Sequence, residues 1–438
     1  MALLIDTLFD TPSARLVYPF VDGERPESIV ERFLTVRGFT AFLCRPLVPE
    51  DYVVQSMTDV SPTKWHLAHT SWFFETFVLR PHLAGYVPLN PAYAFLFNSY
   101  YVQAGERHCR MQRGLLSRPT VDEVYQYRAH VDEHTVRLIE SAGPALLQEI
   151  WPLLEVGFHH EQQHQELMLT DLKHVFSINP LYPEYLPYRP SPEPANQALT
   201  WAPFEEGLYE IGHTGAGFHY DNEGPRHRHF AEPFALATRL TTNGEYLAFM
   251  EDSGYGRPEL WLSAGWATCA EAGWEAPLYW ERRDGVWLHF TLSGLRPIDL
   301  DEPVTHVSYY EADAFARWAG ARLPIEQEWE IAAVRQPIEG PFVEEGYYRP
   351  VRDSGAGEGP VRQLYGDVWQ WTRSAYSPYP GYAPAAGALG EYNGKFMCNQ
   401  FVLRGASCAT SYTHARPTYR NFFSPDARWQ FSGIRLAQ

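Results

Sequence analysis

Apolar residues recur at every third or fourth position through residues 27–176, a period that predicts helices. Four segments carry it. "PESIVERFLTVRGFTAFL" has Glu in its first turn, and "SPTKWHLAHTSWFFETFVL" opens on Ser-Pro, a cap followed by proline at the first helical position. "TVDEVYQYRAHVDEHTVRLIESAG" starts with a Thr-x-x-Glu capping box and stops at Gly143. "PALLQEIWPLLEVGFHHEQQHQELMLTDLKHVF" is long and amphipathic, with a break expected near Pro152. Four such helices suggest a bundle, in which metal sites are built from side chains on facing helices. Pro180, Pro183, Pro187, Pro190, Pro192 and Pro194 then exclude a helix and predict an extended linker over 181–197. From 198 to 438 the pattern changes to short aromatic strands, turns and glycines. One helix, "SYYEADAFARWAGARLP", stands out and is stopped by Gly320 and Pro324. The expected fold class is α+β, a helical domain over 1–180 followed by a loop-rich α+β domain.

Composition narrows the function. A length of 438 residues exceeds what one hydrophobic core usually serves, which supports two domains. The net charge of −18 argues against a nucleic-acid backbone as partner. No run reaches the length of a membrane helix, and "MALLIDTLFD" has neither a basic leader nor a long apolar stretch, so no signal peptide is expected. Five cysteines without CxxC spacing read as reduced thiols in a cytoplasm. Fourteen Trp and 27 Tyr suit an aromatic-lined pocket.

The densest chemistry lies in "FHHEQQHQEL". At roughly 100° per residue, His160 and His164 fall about 40° apart on one helix face, a spacing at which two imidazoles share one metal. Gln163 lies roughly 60° to one side and should border the same cavity. Glu166 and His159 lie too far round to be ligands. A third ligand must come from another helix, and "KWHLAHTSWFF" offers His66 and His69. Three neutral histidines with open positions suit Fe(II), zinc or copper. His130 and His134 repeat the spacing among charged neighbours and read as a solvated face. Glu161, directly after His160, keeps a zincin-type hydrolase open, since such a glutamate serves as general base beside zinc.

"DVSPTKWHLAHTSWFFE", "LFNSYY", "RMQRGLLSRPT" and "HHEQQHQELMLTD" together resemble the nonheme iron sulfoxide synthases of ergothioneine biosynthesis. "GDVWQWTRS" and "LRGASC…RNFFSPDARWQFSGIRLA" in the second half resemble their formylglycine-generating-enzyme-like (C-type-lectin-like) domain. The resemblance spans nearly the whole chain and implies a DinB-like four-helix bundle ahead of that domain. It implies Fe(II) on His69, His160 and His164, with O2, hercynine and a thiol as reactants, and a new carbon–sulfur bond at the imidazole C2. It further implies that Gln163 meets the hercynine imidazole and that Tyr100 or Tyr101 supplies a proton or hydrogen atom. Arg110 and Arg113 are implied to hold the donor's carboxylate. Asn421, Phe422 and Phe423, with Tyr376, are implied to meet the amino-acid end of hercynine, whose quaternary ammonium favours aromatic faces. The plainer alternatives are core packing for the aromatic residues and surface charge for the arginines.

Phe423 stands where some branches carry an acidic residue, which points to a small donor such as free cysteine. Cys109 and Met111 flank Arg110, and soft side chains there also fit the related selenoneine synthase, which takes a selenium donor; burial would explain them equally. Formylglycine-generating copper chemistry needs two cysteines where Thr410 and Ala415 stand, which excludes it. The remaining alternative is a DinB-like zinc or nickel thiol-binding module without oxidative chemistry.

Overall fold

The computed structural model describes residues 26–195, 198–215, 217–355 and 359–438. The opening "MALLIDTLFD" lies outside them. The described residues form two compact units: those up to Asn179 with Ala385–Tyr392, and those of 180–384 with 393–438. Among the described residues no helix is long and apolar enough to cross a membrane.

The first unit is built on α1 (Pro26–Cys44), α2 (Thr63–Phe74), α3 (Val121–Ser141) and α4 (Pro144–Ser177). Both α1 and α2 pack against α3 and α4. Thr120 caps α3 as expected: its hydroxyl accepts the Glu123 N–H at 3.2 Å while the Glu123 carboxylate accepts the Thr120 N–H at 2.7 Å. Pro62 occupies the N-cap of α2, one place earlier than the sequence suggests. The Ser61 N–H instead donates to Asp171 on α4. The α-turns of α2 pass into a π-helical stretch, Glu75–Leu79. There the buried Glu75 carboxylate accepts the hydroxyls of Tyr86 (2.7 Å) and Tyr127 (2.6 Å).

Helix α4 does not break at Pro152. Proline costs a helix interior about 3 kcal/mol, but Ile150 and Leu154 on either side are fully buried and hold the turn in place. Five residues on, Gly157 lets α4 approach α2 closely. A Cβ there would lie 2.6 Å from the Phe74 ring and 3.2 Å from Phe73. His130 and His134 are half-buried and pack against Tyr86, tilted and edge-on respectively, so the expected solvated face is in fact packed.

The second unit contains β1 (Trp201–Phe204), β2 (Gly207–Ile211), β3 (His227–Ala231), β4 (Phe234–Ala237), α5 (Asn243–Glu251) and α6 (Ser263–Ala272). It continues with β5 (Trp280–Arg283), β6 (Val286–Thr291), β7 (Gly294–Pro297), α7 (Tyr309–Trp318) and α8 (Glu326–Ala333). It ends with β8 (Trp369–Ala375), β9 (Phe401–Arg404), β10 (Asn421–Phe423) and β11 (Ser432–Gly433). The strands form small sheets ordered β1-β4, β2-β3, β5-β6-β7 and β10-β9-β8-β11. The "SYYEADAFARW" helix is thus joined by three others of eight to ten residues, whose apolar positions are less clearly gathered on one face. The proline-rich segment packs within this unit, the N–H groups of Tyr185 and Leu186 donating to the Leu292 carbonyl. The core is aromatic, with Trp329, Trp369 and Trp371, and it encloses the buried Arg404, which pairs with Glu326 and Glu330 at 2.9 Å.

In the first unit Glu161 is the charged centre of the bundle. It accepts from Arg37 (2.8 Å), Arg128 (2.8 Å) and Thr40 (2.7 Å), and is fully buried. Burial alone would raise its carboxyl, but the two guanidinium groups outweigh that and bring it down to about 2. A carboxylate depressed from about 4.3 adds on the order of 3 kcal/mol above pH 4.3, which is lost as the pH falls toward 2. Glu161→Gln is therefore expected to lower stability at pH 7 by about 3–5 kcal/mol, with the gap to wild type closing between pH 4.3 and 2. Thermal melts followed by circular dichroism across that range measure it, and a pH-independent gap contradicts the assignment.

Candidate metal centre

His69, the seventh residue of the fully buried α2, and His160 and His164, one turn apart on α4, bring three ring nitrogens within 4.8 Å of one another. His69 is sandwiched between Trp65 (4.6 Å, 12°) and Trp72 (5.4 Å, 15°), so its ring plane is fixed by packing. Its Nδ1–H donates to the Phe97 carbonyl at 2.6 Å, which leaves Nε2 as a bare lone pair facing inward. That Nε2 lies 3.2 Å from His160 Nε2. Two nitrogens each about 2.1 Å from a shared ion, at right to tetrahedral angles, stand roughly 3.0–3.4 Å apart, so the separation fits a common metal.

Electrostatics agree. Burial holds His69 and His164 well below the usual histidine range, with His160 adding to both, and burial brings His160 down to about 3. All three are neutral near pH 7, the form that ligates a metal. Glu166 and His159 are not in the cluster, as the helical angles anticipate. His66, the other candidate on α2, sits behind the site and contacts His164 through Nδ1 at 2.8 Å. Glu161 is turned into the Arg37–Arg128 network, so the zincin-type general base is ruled out: two buried ion pairs occupy its carboxylate.

Gln163 borders the triad. Its Oε1 accepts a hydrogen bond from the hydroxyl of Tyr392, a buried residue that sequence reasoning missed. The Tyr392 ring lies 6.0 Å edge-on from His160 and 6.3 Å from Tyr100. Glu391 secures it, accepting the backbone N–H groups of Val102 (3.1 Å) and Gln103 (2.9 Å). The only signal in the sequence was an isolated "GEYNG", which no local pattern connects to a helix more than two hundred residues earlier. Tyr101 is fully buried and stacks on Tyr100 at 4.5 Å, packing also against Trp72 and Phe77.

Arg113 is buried 3.4 Å over the face of Trp65 and donates to Ser61 Oγ at 2.9 Å. Burial, then Arg110, bring it down to about 9, and its Nε has no hydrogen-bond partner among the described residues. Arg110 is exposed and donates to the Asp59 carbonyl at 2.6 Å. Cys109 and Met111 are exposed too, so burial does not account for them.

The remaining candidates form a cluster in the second unit. Asn421, Phe422 and Phe423 make up β10, paired antiparallel with β9. Phe422 stacks on Tyr376 at 4.1 Å and 9°, and the Tyr376 hydroxyl accepts from Asn222 at 2.8 Å. Asp221 ties Tyr382 (2.9 Å) and Asn393 (2.6 Å), the residues on either side of Ala385–Tyr392. Any substrate role for Asn421, Phe422, Phe423 and Tyr376 rests on the sequence resemblance alone.

Comparison with known proteins accounts for both halves. The DinB superfamily profile matches residues 32–168, and the sulfatase-modifying factor enzyme 1-like domain matches residues 190–438. The formylglycine-generating enzyme of Thermomonospora curvata is 28% identical over 50% of this chain and 86% of its own, confined to one half. Other relatives span both halves. The hercynine oxygenase of Mycolicibacterium thermoresistibile is 32% identical over 86% of this chain and 87% of its own, and that of Mycobacterium tuberculosis is 32% identical over 86% and 91%. A bundle that gathers three neutral imidazoles, followed by the modifying-factor-like domain and matched along nearly its full length, makes this chain a member of the hercynine oxygenase family.

Proposed function

We propose that the protein is an iron(II)- and O2-dependent enzyme that joins the imidazole C2 of hercynine to the sulfur of a small thiol, with free cysteine as the donor. The observation that carries this reading is the set of three buried, neutral imidazoles, in a chain whose relatives are hercynine oxygenases. The reaction balances: the C2–H and S–H hydrogens leave as water with one oxygen atom, and the other oxygen atom stays on sulfur as a sulfoxide. Iron(II) on the triad supplies the one-electron chemistry that dioxygen needs to react with closed-shell partners.

The chain's own groups supply the rest. Gln163, its Oε1 engaged by Tyr392, offers its amide N–H to a bare nitrogen of the substrate imidazole. Tyr392, its ring edge-on to His160 and its hydroxyl on Gln163, delivers a proton during oxygen reduction, with Tyr100 and Tyr101 next in the ring stack. Arg113, a buried guanidinium with an unpartnered Nε, holds the donor's carboxylate, and Arg110 adds positive charge at the exposed edge. Asn421, Phe422, Phe423 and Tyr376 serve the amino-acid end of hercynine, whose trimethylammonium is attracted to aromatic faces. The exposed Cys109 and Met111 favour testing a selenium donor alongside cysteine.

Purified wild type is expected to carry one iron per chain by elemental analysis, and His69→Ala, His160→Ala and His164→Ala to carry none. Stoichiometric iron in all three variants overturns the ligand set, and zinc or nickel without oxygen uptake returns the chain to a binding module. Mixed anaerobically with hercynine and cysteine, the enzyme is expected to form the sulfoxide on admission of oxygen. Turnover only in a parallel reaction with a selenosugar reassigns the donor. Tyr392→Phe is expected to divert turnover from the sulfoxide to plain thiol oxidation, by more than Tyr100→Phe or Tyr101→Phe. Product ratios by mass spectrometry decide, and an unchanged ratio in Tyr392→Phe removes that role.

A further inference from the structure

We propose that Asp171 and His66 are positioning residues that fix the tautomer of His164 and so decide which of its nitrogens is offered to the metal. This rests on the reading of the triad as a metal site.

With His66 neutral, the chain of bonds has one consistent direction. Asp171 Oδ2 accepts the Ser61 backbone N–H at 2.8 Å and lies 3.0 Å from His66 Nε2. A carboxylate only accepts, so the proton between them sits on His66 Nε2. A neutral imidazole carries one N–H, which leaves His66 Nδ1 as an acceptor. His66 Nδ1 is 2.8 Å from His164 Nδ1, so the proton there belongs to His164. His164 is then protonated at Nδ1 and bare at Nε2. The reverse direction would set the bare Nε2 of His66 against a buried carboxylate at 3.0 Å, two acceptors with no proton between them.

The three ligands differ in what fixes them. His69 Nδ1 donates to the main-chain carbonyl of Phe97, which no side-chain substitution removes. His160 Nδ1 has no partner among the described residues. His164 alone depends on a side-chain relay. The relay is anchored at its far end: Ser61 precedes the first turn of α2, and its hydroxyl accepts from Arg113 at 2.9 Å. Geometry along α4 allows it, because Asp171 lies seven residues beyond His164 and returns to within about 20° of the same face. Outer partners of this kind orient ligating imidazoles and raise their basicity, and their loss typically costs about 10–100-fold in metal affinity.

The test uses the full-length metal-free protein, with Co(II) as probe against a competing chelator. Asp171→Ala and His66→Phe are expected to weaken Co(II) binding by about 10–100-fold. Asp171→Asn, whose amide oxygen still accepts from both Ser61 and His66, is expected to stay within a few-fold of wild type. Imidazole nitrogen shifts of the metal-free wild type are expected to report His164 protonated at Nδ1, and Asp171→Ala to lose that assignment while His69 keeps its own. Wild-type affinity in a folded Asp171→Ala variant, or His164 protonated at Nε2 in wild type, overturns the proposal. A wild type that takes up no Co(II) overturns the metal reading itself, and the nitrogen shifts then still decide the tautomer.

Discussion

Three imidazole lone pairs pointed at one another in a dry helical bundle are the constraint on which the first unit depends. The arrangement is unfavourable on its own terms: buried ring nitrogens are crowded against one another, and charging them is opposed by burial. The fold meets this cost around the rings. Trp65 and Trp72 clamp His69 by stacking, the Phe97 carbonyl takes its outer N–H, and Gly157 removes the side chain that would hold α4 away from α2. A cation bound by the inner nitrogens satisfies all of them at once, so ligand geometry and metal stabilisation reinforce each other.

The charged residues nearby are kept from interfering by the same helix. Glu161 follows His160 directly in sequence, but one residue of helix turns it roughly 100° away. There Arg37, Arg128 and Thr40 saturate it. The triad therefore keeps a formally neutral donor set, and any bound divalent ion retains its full charge for an anionic thiol. The buried guanidinium of Arg113, stacked on the opposite side of Trp65 from the ligand sandwich, adds a second cation suited to a carboxylate.

Much of this was legible in the sequence because it is written in helical periods. The HxxxH spacing, the capping box at Thr120 and the paired histidines of α2 are local patterns, and each predicts an angle on a helix. Choosing His69 over His66 was not possible from spacing, since both lie on the inner half of α2; the choice is made by Asp171, which draws His66 aside. Pro152 misled because intrinsic propensity was set against packing that only the assembled bundle reveals. The missed helices of the second unit are as short as α7 but separate their apolar and polar faces less clearly, so they show little period to read. Tyr392 was invisible for another reason: its contact with Gln163 spans 229 positions, and no periodicity carries information over that distance.

That long-range contact sets a condition on how the site is completed. The bundle can gather its three ligands from α2 and α4 alone, so metal capture needs only local helix packing. The hydroxyl on Gln163 arrives from a segment held by Glu391 through two backbone N–H groups near Tyr101. Those two bonds place Tyr392 without a regular element of its own, directly after a 3₁₀ turn at Ala388–Glu391. A side chain so held is ordered by a carboxylate clamp rather than by a core. The histidine cluster and the Tyr392 hydroxyl thus rest on separate supports, and one can be altered without dismantling the other.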